Sequence, residues 1–183
     1  ALSVNCHGRY MGLGPVILSV RNIRLVLADA TVVDCSREEN SELFFAAIGG
    51  YGSVGVIAEV ELDLADNHRV QRLNAKMSAS GYLRHFKDKI RNNKQAVFHN
   101  ADLYPPEFTR VRSVTWVETE REPTEPWRLH ETDAAYPLHR YFAWAITETP
   151  LGKWRREHII DPLMYRKKIV HWRNYEASYD VAE

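Results

Sequence analysis

Seven of the nine glycines in this 183-residue chain lie between Gly8 and Gly55, and only Gly81 and Gly152 follow. Glycine gathers where backbone takes positive φ or lies close against another group. The first third is therefore expected to form a site made of main chain, and the rest an ordinary scaffold. Two segments carry that expectation. Ser3-Val4-Asn5-Cys6-His7-Gly8-Arg9 brings an amide, an imidazole and bare backbone together, at what reads as the end of a strand. Main-chain N–H groups opened by Gly8 suit a phosphate or the polar edge of a ring, and His7 can donate to either. Taken alone, the segment reads as a strand end with a satisfied histidine. The second segment, Ile48 to Ile57, contains the G-x-G-x-x-G spacing from Gly50 to Gly55. A dinucleotide-binding loop of that spacing follows a strand and opens a helix, whereas here a helix precedes and a strand follows. What remains is a glycine turn, shaped by Gly52 and Gly55, feeding a strand whose first amides and carbonyls, at Val56 and Ile57, can bind a cofactor edge-on.

Around these segments the periodicity is legible. Val16 to Val20 is an apolar run suited to a buried strand. Ile23, Leu25 and Leu27 alternate with Arg24 and Val26, and Val32 to Cys35 answers them across Asp29-Ala30-Thr31, which predicts a β-hairpin. Ser36 and Glu39 form a capping-box pattern before Leu43, Phe44 and Ala47, one face of a short helix that stops at Gly49-Gly50. From Val54 to Leu64 the chain reads as a half-solvated strand, with Val56, Ala58, Val60, Leu62 and Leu64 on one face and Glu59, Glu61 and Asp63 on the other. Beyond Asp66 the pattern predicts a strand over Arg69 to Met77 and a helix over Tyr82 to Ile90 with Leu83, Phe86 and Ile90 inward. Strands follow over Gln95 to Leu103 and Phe108 to Glu118, about the Pro105-Pro106 turn. Glu120 to Asp133 reads as a loop, Tyr136 to Thr147 and Gly152 to Tyr165 as helices, and Ile169 to Tyr175 as a strand. The β-α-β-β order implies a small α+β sandwich.

Charge and composition narrow the function classes. Twenty-four basic residues balance twenty-four acidic ones, so no overall field gathers nucleic acid or an anionic membrane. Lys153 to Arg173 holds seven basic and two acidic residues with Trp154 and Trp172 interleaved, which reads as a solvated helix face with snorkelling stems. No apolar run reaches the roughly 20 residues of a membrane span. The eight histidines lack metal-ligand spacing, so no metal site is expected. Cys6 and Cys35 read as two buried thiols in a reducing cytoplasm.

Asn5-Cys6-His7-Gly8-Arg9, the Ile23 to Cys35 hairpin, Glu39 to Phe44 and Ile48-Gly49-Gly50-Tyr51-Gly52…Gly55-Val56-Ile57 occur in that order. This order resembles the second FAD-binding subdomain of the vanillyl-alcohol oxidase / p-cresol methylhydroxylase superfamily. The similarity is greatest to the branch near decaprenylphosphoryl-ribose oxidase and the sugar-lactone oxidases. It covers residues 1–66 strongly and is weaker from Asn67, where the β-α-β-β order matches the family's ferredoxin-like substrate domain.

The resemblance implies an α+β chain holding the second half of a PCMH-type FAD-binding domain in residues 1–66 and part of a substrate domain in residues 67–183. It implies FAD as cofactor, with Asn5, Cys6, His7 and Gly8 on a strand whose backbone contacts it and His7 near the flavin. Val56 and Ile57 would hydrogen-bond it through main chain, with Gly52 and Gly55 shaping the turn. The implied activity is that of a flavin-linked oxidoreductase oxidising an alcohol carbon of a sugar-like small molecule by hydride transfer. The family's pyrophosphate-cradling subdomain would precede Ala1, and more substrate domain would follow Glu183. The chain therefore reads as a fragment, inactive alone, with catalytic residues outside it and strand edges open to self-association. Two other readings stand beside it: a non-catalytic α+β module that needs a partner chain to complete its fold, and a sheet-based binding domain whose glycine loop is merely a turn.

Overall fold

Hydrogen bonding in the computed structural model, which describes residues 1–129 and 139–179, gathers the strands into two separate antiparallel sheets. The chain divides into two units, Ala1–Asp66 and Asn67–Glu183, and the class is α+β.

In the first unit, strands β1 (Val20–Val26), β2 (Val32–Ser36) and β3 (Val56–Leu62) form a sheet of order β2-β1-β3. The hairpin forms because β1 alternates buried Ile23 and Leu25 with exposed Arg24. Its turn closes with Leu27 N donating to Thr31 O, while Asp29 Oδ1 accepts from Thr31 N at 2.9 Å. Ala30 takes the left-handed φ of 66° that glycine would take more easily. Helix α1 (Ser41–Ala47) packs Phe44 and Ala47 over β1 and β2, and with Val20, Ile23, Leu25, Cys35 and Ile48 they make the core. Burying Phe44 alone contributes about 2–3 kcal/mol.

Several expectations are corrected here. The chain start is not a strand but a 3-10 turn over Leu2–Val4, followed by Asn5 at φ 46°. Val16–Ser19 is likewise a 3-10 turn, entered from extended Pro15 and with Leu18 exposed; the strand begins only at Val20. Ser36 does not cap α1. Its Oγ accepts from Glu38 N and Glu39 N, closing a separate turn, and the helix starts later from Asn40 in left-handed backbone. The single apolar face expected for β3 is broken by an irregularity in its pairing with β1: Glu59 faces Arg24, yet Ile57 faces Leu25. The extra residue, Ala58, turns Ile57 to the core side and Val56 outward, and Val56 is 68% exposed. Cys6 is exposed, so only Cys35 is a buried thiol, with burial raising its pKa.

In the second unit, β4 (Arg69–Ser78), β5 (Ala96–Leu103), β6 (Arg110–Glu118) and β7 (Val170–Trp172) form a sheet of order β5-β6-β4-β7. Register places Leu73, Thr115 and His99 side by side on one face, and Asn74, Val114 and Asn100 on the other. Helix α2 (Ala79–His85), capped by Ser78 Oγ on Gly81 N, runs on through a π turn over Phe86–Ile90. It covers the His99 face with Tyr82, Phe86 and Ile90. Leu83, expected inward, is exposed. The opposite face is covered by α4 (Gly152–Arg155), a π turn over Arg156–Ile160 and α5 (Asp161–Arg166). Helix α3 (His139–Thr147) precedes them; the part of its expected span before residue 139, and of the expected loop after residue 129, lies outside the described residues. The last expected strand is shorter than its apolar pattern, because α6 (Arg173–Tyr179) begins directly after β7. There Arg173 N donates to His68 O at 2.8 Å and Asn174 N to Asn67 Oδ1 at 3.0 Å, fastening the two ends of this unit together.

Candidate functional site

The first unit's two motif segments meet through main chain. Gly49 N donates to Leu2 O at 3.1 Å and Tyr51 N to Ser3 O at 2.9 Å. A Cβ on Gly49 would stand 3.2 Å from Asn5 Cβ, so the glycine is what lets the two turns lie this close. Asn5 Oδ1 accepts from Ile17 N at 3.2 Å and Cys6 O from Val16 N at 2.9 Å, so both residues tie this segment to the 3-10 turn that leads into β1. His7 and Gly8 lie beyond it, both exposed, with His7 Nδ1 3.4 Å from the Gly8 carbonyl oxygen.

Gly52, at φ 80°, has no atom within 4 Å of where a Cβ would be, leaving open space beside the turn. Gly55 is a different case. A Cβ there would lie 2.5 Å from Val26 O and 3.2 Å from Leu25 Cγ, so glycine is required for the turn to pass β1. Gly50 is required too, since its Cβ would overlap the Ala46 carbonyl oxygen. Val56 and Ile57 then open β3, an edge strand, whose outer side offers backbone donors and acceptors. Gly52 thus has open space beside it, β3 is an edge strand, and His7 is exposed.

The second unit holds a polar constellation that sequence reading missed. Glu157 and Asp161, the two acids of the basic run, point inward and are buried. Glu157 pairs with Lys76 at 2.6 Å and Arg110 at 2.7 Å. Asp161 accepts from the Tyr104 hydroxyl, which in turn accepts from Arg112 Nε at 2.8 Å. Arg112 Nη1 donates to Asn74 Oδ1 at 2.8 Å and its guanidinium lies 4.3 Å from the centre of the Tyr165 ring. Burial, then the bond to Asp161, pushes the Tyr104 hydroxyl up to about 12. Burial lowers the pKa of Arg72 beside them and raises that of Tyr165. On the other face His99 is held between Tyr82 OH at 2.8 Å and Thr115 Oγ1 at 2.9 Å, with burial and nearby His85 lowering its pKa. The signal for the first network was present: Arg72, Asn74 and Lys76 alternate on one strand as Arg110 and Arg112 do on its neighbour, and Glu157 and Asp161 are four apart. Arg173-Asn174-Tyr175-Glu176 opens α6, with Arg173 and Glu176 buried and Glu176 bonded to His171 at 2.9 Å.

No family model matches the chain. The chain is similar to dehydrogenases. It is 27% identical over 135 residues to L-galactono-1,4-lactone dehydrogenase 2, mitochondrial, of Oryza sativa subsp. japonica, a match covering 74% of this chain and 22% of that protein. It is 43% identical over 51 residues to cytokinin dehydrogenase 9 of the same plant, covering 28% of this chain and 10% of the relative. Cytokinin dehydrogenase 1 of Arabidopsis thaliana is 41% identical over 51 residues, covering 28% and 9%. The chain thus spans about a fifth of the lactone dehydrogenase and about a tenth of the cytokinin dehydrogenases. By name, all three are oxidoreductases.

Proposed function

We propose that this chain is part of an FAD-linked oxidoreductase, with residues 1–66 supplying one side of the cofactor site and residues 67–183 part of a substrate domain. The observation that carries this reading is the joining of the Asn5 segment to the glycine turn by the Gly49–Leu2 and Tyr51–Ser3 main-chain bonds. It brings into one place the two segments that resemble FAD-binding sequences, and the similarity to named dehydrogenases supports it. FAD, when bound, supplies the acceptor for a hydride from an alcohol carbon. The chain's own part is binding and orientation. Val56 and Ile57 would offer main-chain groups at the β3 edge, Gly52 the space, Gly55 the close passage over β1, and His7 an imidazole donor. Asn5 and Cys6 act behind them by holding the turn. The name of the lactone dehydrogenase favours a sugar-derived small molecule as substrate.

The test is a visible spectrum of the purified chain after incubation with FAD and gel filtration. Retained flavin that falls several-fold on His7→Ala, with an unchanged far-UV spectrum, supports the reading. A colourless protein, or retention indifferent to His7→Ala, overturns the assignment of these residues. Gly55 is unsuitable for this purpose because any side chain there strikes β1.

A further inference from the structure

We propose that the helical segment of the second unit, α3 together with α4 to α5, docks on the surface of an anionic lipid bilayer. Glu157 and Asp161 fix which way the α4–α5 segment faces: both are buried against the sheet. Several apolar side chains of the same segment are nevertheless exposed. Trp154 is 51% exposed, Ile159 46% and Leu163 66%. Helix α3 turns out aromatic residues as well, with Tyr141, Phe142 and Trp144 all more than half exposed. The two helices are fastened where Gly152 meets the end of α3, a Cβ there overlapping the carbonyls of Ala145 and Ile146. Arg155 reinforces the joint by donating to Ala145 O at 2.9 Å.

Charge selects the occupant. Within the described residues 139–168 the acids are Glu148, Glu157 and Asp161, and the latter two are buried, with Lys76 and Arg110 of the sheet answering Glu157. Within that described segment, Arg140, Lys153, Arg166, Lys167 and Lys168 are exposed, and Glu148 is its one exposed acid. The chain's zero net charge conceals this local excess. Tryptophan and tyrosine settle at the headgroup level of a bilayer, and each nearby lysine or arginine adds about 1 kcal/mol of attraction to an anionic leaflet. No helix among the described residues is long and apolar enough to cross a membrane, so the segment would lie on the surface. The inference does not depend on the cofactor assignment.

The test is co-sedimentation of the purified chain with phosphatidylcholine vesicles, with and without phosphatidylglycerol. Binding is expected only with phosphatidylglycerol, and to be lost at about 0.5 M salt, where screening acts within a few ångströms. Lys167→Gln with Lys168→Gln should lower partitioning about 5-fold for each charge removed. Trp154→Ser with Leu163→Ser should lower it about tenfold while the far-UV spectrum is unchanged. Equal partitioning to both vesicle types, none to either, or indifference to both pairs of substitutions overturns the proposal. So does a concentration-dependent doubling of mass that the Trp154→Ser, Leu163→Ser pair abolishes, which would give this face to a second copy of the chain.

Discussion

The two units build antiparallel sheets by opposite means. The first buries a small apolar cluster under α1 and leaves its charges outside, where Arg24 reaches Asp34 and Glu59 at 3.0 Å each. The second puts charges inside, on a sheet face whose arginines and lysine meet Glu157 and Asp161. Apolar packing tolerates small changes of shape, whereas a buried ion network depends on every member being present. The units should therefore fail differently. They can also be observed separately, because all five tryptophans lie beyond residue 66. Tryptophan fluorescence reports the second unit, and far-UV circular dichroism reports both.

The largest effect is expected from Gly50→Ala, whose methyl group meets the Ala46 carbonyl. A loss of about 4 kcal/mol should unfold a unit of this size. Dichroism should then fall while the fluorescence transition in urea stays put; if both move together, the units are not independent. Next comes Asp161→Ala, which leaves Arg112, 6% exposed, without its carboxylate. About 3 kcal/mol should be lost, this time in the fluorescence transition.

A smaller effect comes from alkali. The Tyr104 pKa in the folded protein is raised from 10.0 to about 12, so the folded state keeps a proton that the unfolded chain has released. That stabilisation is complete below pH 10 and disappears as pH rises toward 12, a change of about 2 kcal/mol. Urea midpoints by fluorescence should fall across that window in the parent and fall less steeply in Tyr104→Phe, where buried Tyr165 still titrates above its ordinary value; equal slopes would remove Tyr104 from the account. Least is expected of Arg24→Ala. Its ion pairs are exposed, and no measurable shift of the dichroism transition should follow. A clear shift would mean that the outer face of the first sheet contributes more than its exposure suggests.

The same contrast governs what could be read from the sequence. The Ile23–Cys35 hairpin and the Phe44 face of α1 were legible because burial there follows residue type. Val16–Ser19 was not: an apolar run says nothing about backbone, and Pro15 leads into a 3-10 turn with Leu18 outside. The β3 face was misread because one extra residue, Ala58, reverses the alternation, and only pairing with β1 reveals it. Glu157 and Asp161 looked like the minority charges of a solvated helix. Their partners are supplied from Lys76, Arg110 and Arg112, some 50 to 80 positions earlier, so no local window contains the pair. For the candidate site, the glycines were visible but their reasons were not. Gly55 serves the sheet beneath it, whereas Gly52 leaves space beside the turn.

One fastening has a mechanical consequence. The chain comes into the second unit through Asn67 and His68 and reaches Arg173 and Asn174 beside them, with β4 and β7 running antiparallel from that corner. A tension applied across these two points would not shear the sheet. It would peel β7 away from β4 one hydrogen bond at a time, starting at the Asn67–Asn174 contact, so this strand should be the first to yield and the cheapest to release.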